Sequence, residues 1–109
     1  MNRRHAPVVL GLILAAALPA YAADPAGPTA TIEISDFTFG PSTLAIAVGT
    51  TVIWRNRDAE PHTVRGADEL MRSGALDQDE SYSVRFDKPG TYRYGCSIHP
   101  QMSGTIIVQ

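Results

Sequence analysis

The sequence predicts an all-β domain, an antiparallel β-sandwich of seven to eight short strands. Three observations point there. Apolar and polar residues alternate with period two through nearly every segment beyond residue 30, where helical spacing is absent. Gly, Pro, Asn and Asp separate these segments as turns do. The chain has 109 residues, enough for one hydrophobic core and not for two.

In chain order, the first element stands outside that domain. Arg3 and Arg4 form a basic head, Ala6 to Ala20 an apolar stretch, and Ala20-Tyr21-Ala22 offers the small residues that a signal peptidase requires. The apolar run is shorter than the roughly 20 residues that span a bilayer. Residues 1–22 therefore read as a cleaved export signal, and no stable membrane insertion is expected after cleavage. Arg3-Arg4 would suit a twin-arginine signal, but His5-Ala6-Pro7 lacks the apolar residues expected after the pair, which favours general secretory export. The domain then covers residues 23–109, with 23–29 as a flexible leader.

The strands follow. Ile32 and Ile34 share one face, whereas Phe37 and Phe39 carry the opposite parity, so a bulge or bend is expected near Asp36. Leu44, Ile46 and Val48 alternate with Thr43, Ala45 and Ala47, and Gly49-Thr50 offers a turn. Val52 and Trp54 come next, then the polar run Arg55 to Asp58. Pro61-His62-Thr63-Val64 reads as a short strand at a sheet edge, because Pro cannot donate into a central ladder. Residues 66–80 read as a long connection with room for one helical turn near Asp68 to Met71. Tyr82, Val84 and Phe86 alternate cleanly, and Pro89-Gly90 suits the centre of a type II turn. Tyr92, Tyr94 and Cys96 share parity, so Cys96 should face the same side as both tyrosines. Thr105 to Val108 forms the last strand.

Composition removes several function classes. The chain is 44% hydrophobic with a net charge of −2, which excludes a disordered chain. It has no Lys/Arg block, so no nucleic acid partner is expected. Its single Cys excludes an intramolecular disulfide. Within 23–109 the only cysteine is Cys96 and the only histidines are His62 and His99, in a compartment that oxidises exposed thiols.

That lone thiol has a use. Cys96, His99 and Met102 stand three residues apart in the loop between two expected strands, and His62 can reach the same point from a neighbouring one. Taken singly, each has an ordinary reading as a small core residue, a surface histidine or apolar filler. Taken together, two imidazoles, one thiolate and a long axial thioether form the blue-copper ligand set. Structural zinc wants four strong N/S ligands, and Met102 is a poor fourth. Iron–sulfur clusters need several cysteines. The acids of 66–80 lack calcium-loop spacing. One copper ion per chain is expected at His62, Cys96, His99 and Met102.

The pattern Trp54-x-Asn56-x-Asp58-x-x-Pro61-His62-Thr63-Val64, followed by Gly90-Thr91-Tyr92-x-Tyr94-x-Cys96-x-x-His99-x-x-Met102-x-Gly104, resembles the cupredoxins. The short Cys-x-x-His and His-x-x-Met spacings look like those of amicyanin-like members, while plastocyanin-like members are similar but carry a longer His-to-Met interval. The resemblance covers essentially residues 30–109. It implies a Greek-key sandwich with a type 1 copper site at one end and a role in periplasmic electron transfer. His62, Cys96 and His99 would be equatorial ligands and Met102 the axial one. Four positions depart from the family pattern: Thr63 replaces an Asn that ties the ligand loops together, Ile98 and Gln101 alter the rim around His99, and Met71 replaces an aromatic core residue.

The expected function is the shuttling of single electrons between transient redox protein partners, by a monomer that is not an enzyme. His99 should present its edge to solvent near Ile98, Pro100 and Gly40-Pro41, while His62 sits deeper. The alternative is a module that stores or delivers copper without redox turnover. An enzyme with Cys96 as nucleophile and a His base would leave Met102 and the second His unexplained. A multicopper oxidase needs more histidines than the domain has.

Overall fold

The computed structural model describes residues 2–7 and 27–109. Most of the export signal expected at 1–22 and of the leader at 23–29 lies outside these residues; residues 2–7 are exposed and carry no regular structure. Eight strands follow: β1 Thr29–Ser35, β2 Thr38–Gly40, β3 Thr43–Ile46, β4 Thr50–Asn56, β5 Arg65–Gly66, β6 Ser81–Phe86, β7 Gly90–Gly95 and β8 Ser103–Val108. No helix occurs among the described residues.

The strands form two four-stranded sheets, ordered β2-β1-β4-β6 and β3-β8-β7-β5. The all-β sandwich is as expected, but its sheets are mixed. β1 pairs with β4 in parallel and β3 with β8 in parallel, the other pairings being antiparallel. The reason is topological: between β1 and β4 the chain crosses to the second sheet as β3 and returns, so β4 enters from the same end as β1.

Alternation places the core between the sheets. Ile32, Ile34, Val52, Trp54, Val84 and Phe86 from the first meet Ile46, Tyr94, Ile106 and Val108 from the second, all buried. Each fully buried aliphatic or Phe side chain contributes roughly 1.5–3 kcal/mol. Trp54 contacts Tyr94 edge-on, with ring centroids 5.3 Å apart.

Several local readings change. The bend near Asp36 is a two-residue hairpin, not a bulge: Ser35 pairs with Thr38, and Asp36 and Phe37 both have positive φ, 52° and 57°. The parity break thus lets Phe39 pair with Ile34 inside the core while Phe37 points elsewhere. β3 ends at Ile46, which leaves Val48 44% exposed. The short strand expected at 61–64 is displaced to Arg65–Gly66, because His62 makes only an isolated bridge with Leu76. Asp68 to Met71 forms a turn rather than a helical one, with Leu70 N–H donating to the Asp68 carboxylate. Gly90 opens β7 opposite Val108, and its φ of 156° is too extended for the second centre of a type II turn.

Packing requires glycine at position 104. Gly104 pairs with Tyr94, and a Cβ there would overlap the Tyr94 phenol. Gly104→Ala is therefore expected to destabilise the metal-free protein by about 1–3 kcal/mol through overpacking. An unchanged Tm would show that the Tyr94 ring can move aside freely.

Candidate metal centre

His62 owes its position to the end of β4. Alternation carries past Trp54 to Asn56, which is fully buried. Its amide donates to the carbonyls of Glu60 and Leu76, both at 2.8 Å, and its Oδ1 accepts the Asp58 N–H at 2.9 Å. The loop so folded brings His62 against Leu76, with which it exchanges backbone hydrogen bonds of 3.1 and 2.7 Å. Asp58 then meets the His62 ring: its Oδ2 lies 2.8 Å from Nε2. With Nε2–H donating to that carboxylate, Nδ1 carries the free lone pair. His62 Nδ1 faces His99 Nδ1 across 3.1 Å.

Cys96, His99 and Met102 lie in the turn that joins β7 to β8. The two strands are paired up to Gly95 and Ser103, so the turn starts at a fixed width. Cys96 N–H donates to the Met102 carbonyl at 3.4 Å and Met102 N–H to that of His99 at 3.0 Å. Gly95 allows this closure, since a Cβ would stand 2.8 Å from the Met102 carbonyl oxygen. Cys96 Sγ lies 3.6 Å from His99 Nδ1. Ligand atoms of His62, Cys96 and His99 all lie within 4.8 Å of one another. Met102 is buried at the close of the same turn. His62 is fully buried and His99 half-buried, the depth order expected from the sequence.

Thr63 links the two segments. Its N–H donates to Cys96 Sγ at 3.4 Å, and its hydroxyl, 3.7 Å from that sulfur, accepts the Ser97 N–H at 2.8 Å and meets Ser97 Oγ at 2.9 Å. The Thr hydroxyl thus ties the loops together from the position where the family pattern has Asn.

Burial pushes the Cys96 thiol up, but N–H groups of Thr63, Ile98 and His99 and the Thr63 hydroxyl outweigh it and bring the thiol from 9.0 down to about 7. A lowered pKa stabilises the fold where the thiolate exists. In the metal-free protein that contribution is complete above pH 9.0 and is lost as pH falls through about 7. The ultraviolet thiolate absorbance should titrate with a midpoint near 7; a midpoint at the ordinary thiol value would remove the assignment.

Three residues that shape the site had no role assigned from the sequence, although Asn56 and Asp58 stand in the Trp54-x-Asn56-x-Asp58 pattern. Asn56 reads as part of a polar run, although the period-two pattern of Val52 and Trp54 reaches it. Asp58 accepts the backbone N–H groups of Asp36 and Phe37 at 2.8 and 3.0 Å as well as the His62 ring. Burial pushes its carboxyl up, but these donors win and hold it below the usual range. Phe37 packs edge-on against both imidazoles, with centroids 4.9 Å from His62 and 4.8 Å from His99. No local signal announces either contact.

A family model described as a cupredoxin-like domain matches residues 8–108. The chain belongs to the cupredoxin-like family. This cupredoxin is 35% identical over 102 residues to amicyanin-alpha of Methylorubrum extorquens, a match covering 89% of this chain and 85% of that protein. It is 33% identical over 96 residues to amicyanin of Paracoccus denitrificans, covering 84% and 73%. Among solved structures, a Cu(I) form of an amicyanin variant superposes with a TM-score of 0.72 at 31% identity, over 81% of this chain and 89% of that one. A purple cupredoxin from Nitrosopumilus maritimus gives 0.69 at 32% identity, over 73% and 99%.

Proposed function

We propose that this cupredoxin binds one type 1 copper ion through His62, Cys96, His99 and Met102 and carries single electrons between redox proteins in the periplasm. The observation that carries this reading is the convergence of one sulfur and two imidazole nitrogens, with the His62 ring already anchored through its other nitrogen. A soft thiolate, two imidazoles and a nearby thioether are the donors suited to copper in both its oxidation states. When bound, copper supplies the one-electron chemistry by alternating between Cu(II) and Cu(I). The protein's share is to hold the donors still. Asp58 fixes the His62 tautomer, Thr63 fixes the sulfur, and the paired ends of β7 and β8 fix the turn.

His99 is the less buried of the two imidazoles, and its neighbour Ile98 is 47% exposed. A small apolar rim of this kind suits brief encounters with redox partners. The similarity to amicyanins supports electron transfer over hydrolysis, as does the burial of Cys96, which denies a nucleophile its open approach. Residues 1–22 would supply export. Adding Cu(II) to the metal-free protein should give an intense visible band from thiolate-to-copper charge transfer and a matching EPR spectrum. A colourless sample with an ordinary Cu(II) signal rejects the reading.

A further inference from the structure

We propose that Phe37 is a positioning residue of the metal centre: Asp58 holds the tip of the β1–β2 hairpin in a disfavoured turn so that the Phe37 ring fixes the planes of both imidazoles. The proposal rests on reading His62 and His99 as metal ligands.

The turn itself is the first sign. A two-residue hairpin loop with positive φ at both centres is of the type I′ kind, for which Asn-Gly is the favoured pair. Here the pair is Asp36-Phe37, at φ 52° and 57°. A bulky side chain in that region is a real outlier, and such outliers persist only where the surroundings over-determine them. The surroundings do so. Asp58 Oδ1 accepts the Asp36 N–H and Oδ2 the Phe37 N–H, while Oδ2 also accepts His62 Nε2–H. One carboxylate therefore sets the hairpin tip and the His62 ring in a common frame.

The ring is the second sign. Phe37 stands at 87° to the His62 ring and 83° to the His99 ring, and the imidazoles lie 65° apart with centroids separated by 4.9 Å. The three rings thus meet pairwise edge-on, the arrangement aromatic quadrupoles favour. His62 is also held by Asp58; His99 is half-exposed, and the Phe37 ring blocks its rotation from the hairpin side. A residue needed only for the turn would not be Phe, and one needed only to fill space would not occupy so unfavourable a backbone conformation.

The two roles respond oppositely to glycine. Phe37→Gly, and Asp36→Asn combined with Phe37→Gly, relax the backbone but remove the ring. The expected result is a metal-free Tm equal to or above that of the parent protein, with copper released to an excess of chelator about tenfold faster and an altered EPR spectrum. Phe37→Tyr should keep release within about twofold of the parent, because the ring contact survives. Parent-like release and EPR in both glycine variants would overturn the proposal. So would faster release that only tracks a fall in metal-free Tm, since that marks a structural role. A parent protein without the thiolate-to-copper band would overturn the ligand reading and this proposal with it, whereas a parent with the band and unaffected variants overturns this proposal alone.

Discussion

Cys96→Ala is expected to abolish the visible charge-transfer band completely and to convert the EPR spectrum to that of ordinary Cu(II). The sequence has no other cysteine, so no second sulfur of that type can substitute. Cys96 Sγ also receives the Thr63 N–H and lies 3.6 Å from His99 Nδ1, so its loss removes the donor around which both loops are arranged. The fold should survive. Removing one buried sulfur leaves a small void, and the expected destabilisation is about 1 kcal/mol, which keeps the spectroscopic result separate from unfolding. A band that persists in Cys96→Ala would show that the colour arises elsewhere and would defeat the proposed copper site.

The second large effect is expected at Asn56. Its amide and carbonyl together satisfy the carbonyls of Glu60 and Leu76 and the N–H of Asp58 inside the protein. Asn56→Ala leaves the Glu60 carbonyl and the Asp58 N–H without these partners. Both bonds are only partly buried, so solvent offsets part of each loss, and the destabilisation should total about 1–3 kcal/mol. For a domain of this size that corresponds to a fall in Tm on the order of 5–15 °C. Because the same bonds shape the loop that aims His62, the copper-loaded variant should also release its metal faster. A Tm within about 2 °C of the parent would mean that water replaces the amide and that this network does not organise the loop.

The contrast between Cys96 and Asn56 shows what could be read beforehand. The candidate ligands stand out because their side chains are rare in this domain: one Cys and two His, with Met102 in step with two of them. The strands were legible for a different reason. Burial on one face of a sheet imposes a period of two, and Ile32/Ile34, Val52/Trp54 and Val84/Phe86 keep it. Parallel pairing left no such trace, since a strand's alternation is the same whichever way its neighbour runs.

That pairing is also what hid Asp58 and Phe37. Ile34 lies beside Asn56 in the β1–β4 register, which sets the residues just beyond each strand end, Asp36 and Phe37 on one side and Asp58 on the other, within hydrogen-bonding distance. Residues some twenty positions apart meet through a register that only the folded sheet defines. Asn56 was lost for a simpler reason. A polar side chain in the last position of a strand looks like the start of a loop until its partners are known.

The placement of β8 bears on the order in which the sandwich can assemble. This strand, Ser103–Val108, lies between β3 and β7 rather than at a margin. A ribosome-bound chain still lacking those residues leaves both neighbours with open backbone edges and half of the interior uncovered. Assembly of this sheet requires joining Thr43 to Thr105 across most of the domain, a long closure that slows folding. The second sheet therefore closes on a contact between distant parts of the sequence, and β3 and β7 stay unjoined until it forms.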